Sequence, residues 1–372
     1  MNTVSPTRSI IPFSLRRSFL LLLALGALCF AVGCGKRRPP LPPIERIPQR
    51  TELLSGVQRG NEVILSWPAP RRNAPPESVQ SIRRIDVYRL AEPINAPLPL
   101  TEEEFAARST LIGSLDYATI SHAGETLTYT DTLELTEPVR LRYAVRYVND
   151  AGQRAAFSNF LLIEPAAHVS QPPVISDITA SETALTVHWQ PPAANVDQTT
   201  PANVLGYNIY RTTSAQNEPA ETPLNATPIT TTEYADRNFR FGDEYTYVVR
   251  AVSLGTGGTQ VESLNSNAET LTPRDVYPPS APTGLTVAPA QDRLSIFFAA
   301  NPEPDVAGYN LYRSTDPNLL KPWTKLNSAL LTRTTYQDLD VQSGVKYYYY
   351  LTAVDTAGNV SPPSKVASET VP

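Results

Sequence analysis

Thiols, imidazoles and clustered acids are the side chains that could do chemistry in this 372-residue chain, and few of them are placed to do it. The chain has two cysteines, Cys29 and Cys34, both within its first 34 residues. A cut before Cys34 leaves one thiol at the new amino terminus and no possible intrachain disulfide, so the rest must stand on packing alone. The three histidines, His122, His168 and His188, lie far apart with no cysteine or histidine at metal-ligand spacing. They read as solvated surface residues, and no metal is expected. No Gly-x-Ser-x-Gly elbow, phosphate loop, calcium loop or Arg-Gly-Asp tripeptide occurs. Gly255-Thr256-Gly257-Gly258 sits between two strand-like runs and reads as a hairpin loop. Glu102 to Glu104 follow Thr101 as the opening turn of a helix, where acids suit the helix dipole. Nothing here assembles a catalytic constellation, so the chain reads as non-enzymatic and free of any dissociable cofactor.

The amino terminus carries the one modification signal. Residues 1–17 are polar and basic, and Ser18 to Gly33 form a 16-residue uncharged, mostly apolar run. That is shorter than the roughly 20 residues a membrane-spanning helix needs, and it suits a signal-peptide core. It ends in Ala31-Val32-Gly33-Cys34, which resembles the lipobox of bacterial lipoproteins, although Ala31 stands where such boxes usually have Leu. The resemblance implies cleavage between Gly33 and Cys34, a covalent diacylglyceryl group and a further acyl chain on Cys34, and anchoring in a bilayer. An ordinary secretory signal or an uncleaved short anchor is the plainer alternative. Arg16-Arg17-Ser18-Phe19-Leu20 also looks like a twin-arginine export signal, while the Leu-rich core suits the general secretory route. Gly35 lacks the aspartate that retains many lipoproteins at the inner membrane, which by resemblance favours the outer membrane. Lys36-Arg37-Arg38 reads equally as a headgroup contact or as plain linker, and Pro39 to Pro43 favour an extended stalk.

The remaining chain repeats itself. Val63-Ile64-Leu65-Ser66-Trp67, Leu185-Thr186-Val187-His188-Trp189 and Leu294-Ser295-Ile296-Phe297-Phe298 each alternate large apolar residues, as half-buried strands do. Ile85-Asp86-Val87-Tyr88-Arg89, Tyr207-Asn208-Ile209-Tyr210-Arg211 and Tyr309-Asn310-Leu311-Tyr312-Arg313 follow in the same order. A Tyr-x-Asp comes next, with Asp131, Asp236 and Asp338 spaced by 105 and 102 residues. Strands beginning at Tyr143, Tyr247 and Tyr349 close the pattern.

Composition agrees, with 36 prolines and 18 tyrosines. Removing the three arginines of the first 33 residues leaves 28 Lys+Arg against 36 Asp+Glu, a balance that disfavours nucleic acid. The spaced elements, ending in Ala357-Gly358-Asn359, resemble bacterial fibronectin type III domains over nearly all of residues 170–372. The resemblance implies an all-β chain of three tandem immunoglobulin-like sandwiches. The expected division is a signal peptide at 1–33, the lipidated cysteine and Pro-rich linker at 34–50, and domains at 51–165, 171–273 and 278–372. The first of these diverges, with a helical insertion and Leu141 where the others have a corner tyrosine. Gly242 with Tyr245, and Gly344 with Tyr347, look like the family's tyrosine corner, whose hydroxyl meets nearby backbone.

One surface stands out as a candidate binding patch. With Tyr347, Tyr349, Leu351 and Ala353 inward, Tyr348, Tyr350 and Thr352 face outward. The pairing implied by the resemblance sets Asn310 and Tyr312 beside them, an exposed aromatic patch suited to sugar rings or a protein. The plain alternative is cross-strand stabilisation. The sequence thus points to an envelope spacer, scaffold or binding module, with carbohydrate or peptidoglycan binding and an accessory role in an envelope enzyme or secretion complex as alternatives.

Overall fold

The computed structural model describes residues 48–69, 82–120, 126–134, 138–214 and 221–372. The leader, Gly33, Cys34, the stalk prolines and His122 lie outside the described residues. Among those described, no helix is long and apolar enough to cross a membrane.

The chain is nearly all β, built as three sandwiches in succession. The first contains β1 (Ser55–Arg59), β2 (Glu62–Pro68), β3 (Ile82–Pro93), α1 (Glu102–Arg108), β4 (Thr110–Asp116), α2 (Tyr117–Ile120), β5 (Thr126–Thr132), β6 (Val139–Asn149) and β7 (Leu161–Ile163). The second contains β8 (Val174–Ala180), β9 (Leu185–Gln190), β10 (Gly206–Thr213), β11 (Glu233–Asp236), β12 (Tyr245–Leu254), β13 (Gln260–Glu262) and β14 (Glu269–Leu271). The third contains β15 (Thr286–Ala290), β16 (Arg293–Phe297), β17 (Val306–Ser314), β18 (Thr324–Lys325), β19 (Thr335–Asp338), β20 (Lys346–Asp355) and β21 (Ala367–Thr370). In the third, β15-β16-β19 form one sheet and β18-β17-β20-β21 the other. The expected helix opening forms at α1 as a capping box, in which Thr101 and Glu104 bond each other's backbone.

Each sandwich closes its own core. Val63, Leu65 and Trp67 turn inward along β2 while Ile64 and Ser66 remain partly exposed, the alternation a half-buried strand requires. Trp189 meets Tyr207 edge-on at 5.4 Å, and Phe298 meets Tyr309 in the same way at 4.8 Å. Among the described residues, the indole nitrogens of Trp67 and Trp189 are buried without a partner. Phe298 keeps the ring contact and carries no such donor.

The repeated Tyr-x-Asp motif ties the two sheets of every sandwich together. Asp131 on β5 accepts from Arg89 Nη1 at 2.8 Å and from the Tyr143 hydroxyl at 2.7 Å. Asp236 on β11 accepts from Arg211 Nη1 at 2.6 Å and Tyr247 at 2.7 Å. Asp338 on β19 accepts from Arg313 Nη1 at 3.0 Å and Tyr349 at 2.8 Å. In each copy the aspartate sits in one sheet and its two donors in the other. Burial, then the hydrogen bond to the carboxylate, raises all three tyrosine pKa values far above the ordinary phenol range.

Tyrosine corners are present in the second and third sandwiches. The Tyr245 hydroxyl accepts from Arg240 N at 2.9 Å, and Tyr347 accepts from Gln342 N at 3.2 Å. The intervening turns need φ of 88° at Gly242 and 79° at Gly344, a region that side chains with a Cβ resist. Tyr245→Phe is therefore expected to destabilise the second sandwich by about 1 kcal/mol, one net hydrogen bond, as read by urea unfolding.

The junctions are specific. β13 of the second sandwich pairs in parallel with β1 of the first at Glu262 and Arg59, so the two domains share one sheet. Gly60 N donates to Glu262 O at 2.7 Å, and Gln58 exchanges two side-chain bonds with the backbone of Ala166. The linker into the third sandwich is held on both sides. Tyr277 donates to Ala180 O at 3.1 Å, and Asn359 donates to Asp275 O at 3.3 Å.

Candidate functional site

The outward face of the β17–β20 pair has a counterpart in each sandwich, and the three counterparts are closed in different ways. In the first, α1 lies across the face. Phe105 is fully buried, edge-on to Phe157 at 5.0 Å and tilted against Phe160 at 4.7 Å. With Leu90 and Ala144 these rings form a second small core on the far side of the sheet from the main one. Glu102, at the start of the helix, accepts from Phe157 N at 3.1 Å. The inserted helix is thus a lid made by the chain itself.

In the second sandwich a carboxylate does the closing. Glu262 accepts from Asn208 Nδ2 at 2.7 Å, from Arg250 Nη1 at 2.9 Å and from the Tyr210 hydroxyl. The Arg250 guanidinium also stands 4.0 Å over the Tyr210 ring. Burial, then the bond to Glu262, pushes the Tyr210 pKa up to about 12. Burial works against the Glu262 charge, yet its donors Asn208, Tyr210 and Arg250 hold its pKa below the ordinary glutamate value.

In the third sandwich neither closing device is present. Asn310 pairs with Thr352, Tyr312 with Tyr350 and Ser314 with Tyr348 across the two strands. Thr352 stands where the second sandwich has Arg250, and Val360 where it has Glu262, as the matching bridges Val252–Glu262 and Val354–Val360 show. Among the described residues, Asn310 Oδ1 and Thr352 Oγ1 are buried with no hydrogen-bond partner.

The four residues singled out from sequence, Asn310, Tyr312, Tyr348 and Tyr350, do share this face, but they are not the exposed patch expected of them. Asn310 is 8% and Thr352 7% exposed, and the three tyrosines are half-buried. The rings of Tyr312 and Tyr350 stack at 4.7 Å and 15°, and Trp323 closes on Tyr350 from another side at 4.8 Å. Tyr348 instead lies under Lys346, whose Nζ is 5.4 Å from the ring centroid. The tyrosines fill space between neighbouring strands, and sequence alternation sees only which way they point. Trp323, from the loop before β18, falls outside the repeat pattern and was not foreseen.

Other chemistry-bearing groups are scattered. His168 Nδ1 lies 2.7 Å from Asp197 and His188 Nδ1 3.6 Å from Glu233, each imidazole with one acid. Gly255 to Gly258 form the hairpin between β12 and β13, with a short 3₁₀ turn at Thr256–Gly258. The linker also brings together a set that no local spacing announces. Carboxylate oxygens of Asp275, Asp305 and Asp355 lie within 4.8 Å of one another. Asn359 donates to Asp355 at 2.9 Å and is 3.5 Å from Asp275 Oδ1.

These sandwiches, with their inter-sheet triads and tyrosine corners, define a chain of tandem fibronectin type III-like domains. No family model matches the chain. It is 26% identical over 331 residues to exoglucanase B of Cellulomonas fimi, covering 86% of this chain and 25% of that protein. It is 32% identical over 88 residues to an amylopullulanase of Thermoanaerobacterium thermosulfurigenes, covering 24% of this chain and 4% of that one. The chain therefore spans a quarter or less of the curated relatives it matches. Among solved structures, the FN1–FN3 domains of chicken CNTN1 align over 87% of this chain at 15% identity with a TM-score of 0.26. A Fn3-like protein from Clostridium thermocellum aligns over 26% of this chain at 31% identity with a TM-score of 0.23.

Proposed function

We propose that this protein is a non-enzymatic cell-envelope lipoprotein, anchored through acyl chains on Cys34, in which three sandwiches space and present a contact surface on the last domain. The outer membrane is the favoured location, with the rod facing the periplasm or the exterior. The observation that carries the reading is the fate of the three equivalent sheet faces. The first is covered by α1 and the second is closed by Glu262, while the third has neither cover and carries an aromatic cluster beside Asn310 and Thr352. The repeated pairs at Asp131, Asp236 and Asp338 bridge the two sheets of their sandwiches, as structural pairs do. The partner is an envelope protein or polysaccharide, with no nucleic acid and no dissociable cofactor.

Carbohydrate binding is the second reading. The relatives named exoglucanase and amylopullulanase favour it, as does the aromatic cluster. The stacking of Tyr312 and the approach of Trp323 to Tyr350 weigh against Tyr350 as a sugar platform.

Two measurements on the full-length tagged protein in cells test these statements. Cys34→Ala is expected to abolish acyl-label incorporation, and continued labelling refutes the anchor. Cross-linking and co-purification, beside a Tyr348→Ala/Tyr350→Ala variant, is expected to recover a partner from wild type that the variant loses. Recovery that is equal in both places the contact elsewhere, and glycan retained by wild type alone favours the second reading.

A further inference from the structure

The loop between β17 and β18 holds two leucines in water on a frame of local hydrogen bonds. Leu320 is 95% exposed and Leu319 48%. Asp316 N bonds Ser314 Oγ at 3.0 Å, Asn318 N bonds Asp316 Oδ1 at 2.9 Å, and Leu320 N bonds Asn318 Oδ1 at 3.0 Å. Trp323 Nε1 donates to Asn318 O at 3.1 Å, while its ring is braced by Tyr350 and, behind that, Tyr312. The polar side chains are thus spent on fixing the loop, and a pair of leucines is held at its tip. Keeping adjacent leucines in water is unfavourable, and an ordered loop that does so marks a contact surface.

Charge says what the contact is. Residues 37–320 contain no lysine, whereas the third sandwich has Lys321, Lys325, Lys346 and Lys365 in a chain of net acidic balance. Lys325 lies opposite Tyr312 in register and so shares its face, and Lys346 shares the face of Tyr348. Lys325 and Lys346 are exposed and make no ion pair among the described residues. Lys321 follows Leu320 directly and pairs with Asp316. Exposed leucines at the tip, a tryptophan just behind them and flexible lysines around both match the layers of a lipid interface. Leucine suits the acyl boundary, an indole with one bonded N–H suits headgroup depth, and ammonium groups suit anionic phosphates.

From this arrangement we infer that the third sandwich docks on an anionic lipid surface through the 315–323 loop, with Leu319 and Leu320 inserted and Lys321, Lys325 and Lys346 against the headgroups. The inference rests on the reading of the last domain as the contact end, and it does not depend on acylation of Cys34. Beside the anchor proposed at Cys34, this is a second and reversible membrane contact, made by the third sandwich.

The test uses residues 35–372, which retain all three cores and both junctions, with sucrose-loaded vesicles of phosphatidylcholine and phosphatidylglycerol beside vesicles of phosphatidylcholine alone. Wild type is expected to sediment with the anionic vesicles and to be released by salt, and Leu319→Ser/Leu320→Ser to bind roughly tenfold less well. These surface substitutions should leave the melting transition in place. Trp67 and Trp189 are buried, so a blue shift of emission on vesicle binding reports Trp323. Absence of sedimentation, equal binding by the serine variant, or equal binding to neutral vesicles overturns the inference. A protein or glycan partner captured in cells through the third domain, with no vesicle binding, overturns it while leaving the contact-surface reading intact.

Discussion

Asp338→Ala is expected to destabilise the third sandwich by about 3–5 kcal/mol, because it removes the acceptor from a buried charge pair and leaves the donors behind. Asp338 holds both Arg313 and the hydroxyl of Tyr349, and its own side chain is almost wholly buried. A loss of that size is a large share of the roughly 5–15 kcal/mol that stabilises a domain. The partial remedy is visible. Arg313 also donates to Asp340 O and lies 3.3 Å from Asp340 Oδ2, so its charge keeps company after the substitution. The effect should therefore fall at the lower end of the range. Asp131→Ala has no such second acceptor for Arg89 among the described residues and should fall at the upper end. Tyr349→Phe removes one bond to a charged group and should cost about 1.5–3 kcal/mol. Urea unfolding of the three variants checks the order. Equal, small effects for all of them would show that the triads do not clamp the sheets.

The strands were legible because their chemistry is local. Leu185-Thr186-Val187-His188-Trp189 shows its period in five residues, and burial follows it residue by residue. The corner tyrosines were legible by resemblance, since Gly and Tyr keep a fixed spacing within one turn. The triads were only half legible. The Tyr-x-Asp repeats announced an important aspartate, but its partners come from two other strands in the facing sheet. The outward face was misjudged for a related reason. Alternation gives the side on which Asn310 and Thr352 lie, and neighbouring bulk, including a tryptophan from an adjoining loop, decides whether that side is wet. Asp275, Asp305 and Asp355 are brought together across a domain boundary, where no periodicity operates. Nothing local marks Glu262, because its donors Asn208, Tyr210 and Arg250 come from two other strands.

That position carries the last large prediction. Glu262→Ala strips the acceptor from Asn208, Tyr210 and Arg250, and removes the carboxylate 4.0 Å from Arg59 of the preceding sandwich. Arg250 is then a buried cation whose remaining side-chain partner is Asn265 at 2.6 Å. A cost of about 3–5 kcal/mol to the second sandwich is expected, together with loosening of the first junction. Calorimetry should show the transitions of the first two domains drawing apart, and one unchanged joint transition would refute the coupling. Acid should act through the same group. The folded pKa of Glu262 is depressed, so its contribution is present above the unfolded glutamate value of about 4.3 and is lost as pH falls through the lower folded value. Glu262→Gln keeps an acceptor for Tyr210 but carries no charge, so this variant should be less stable at neutral pH and less sensitive to acid over that window. The third sandwich, with Thr352 and Val360 at the equivalent positions, has no such pair to titrate on this face. Acid should therefore weaken the first junction through Glu262 while leaving the Tyr312–Tyr350 stack in place.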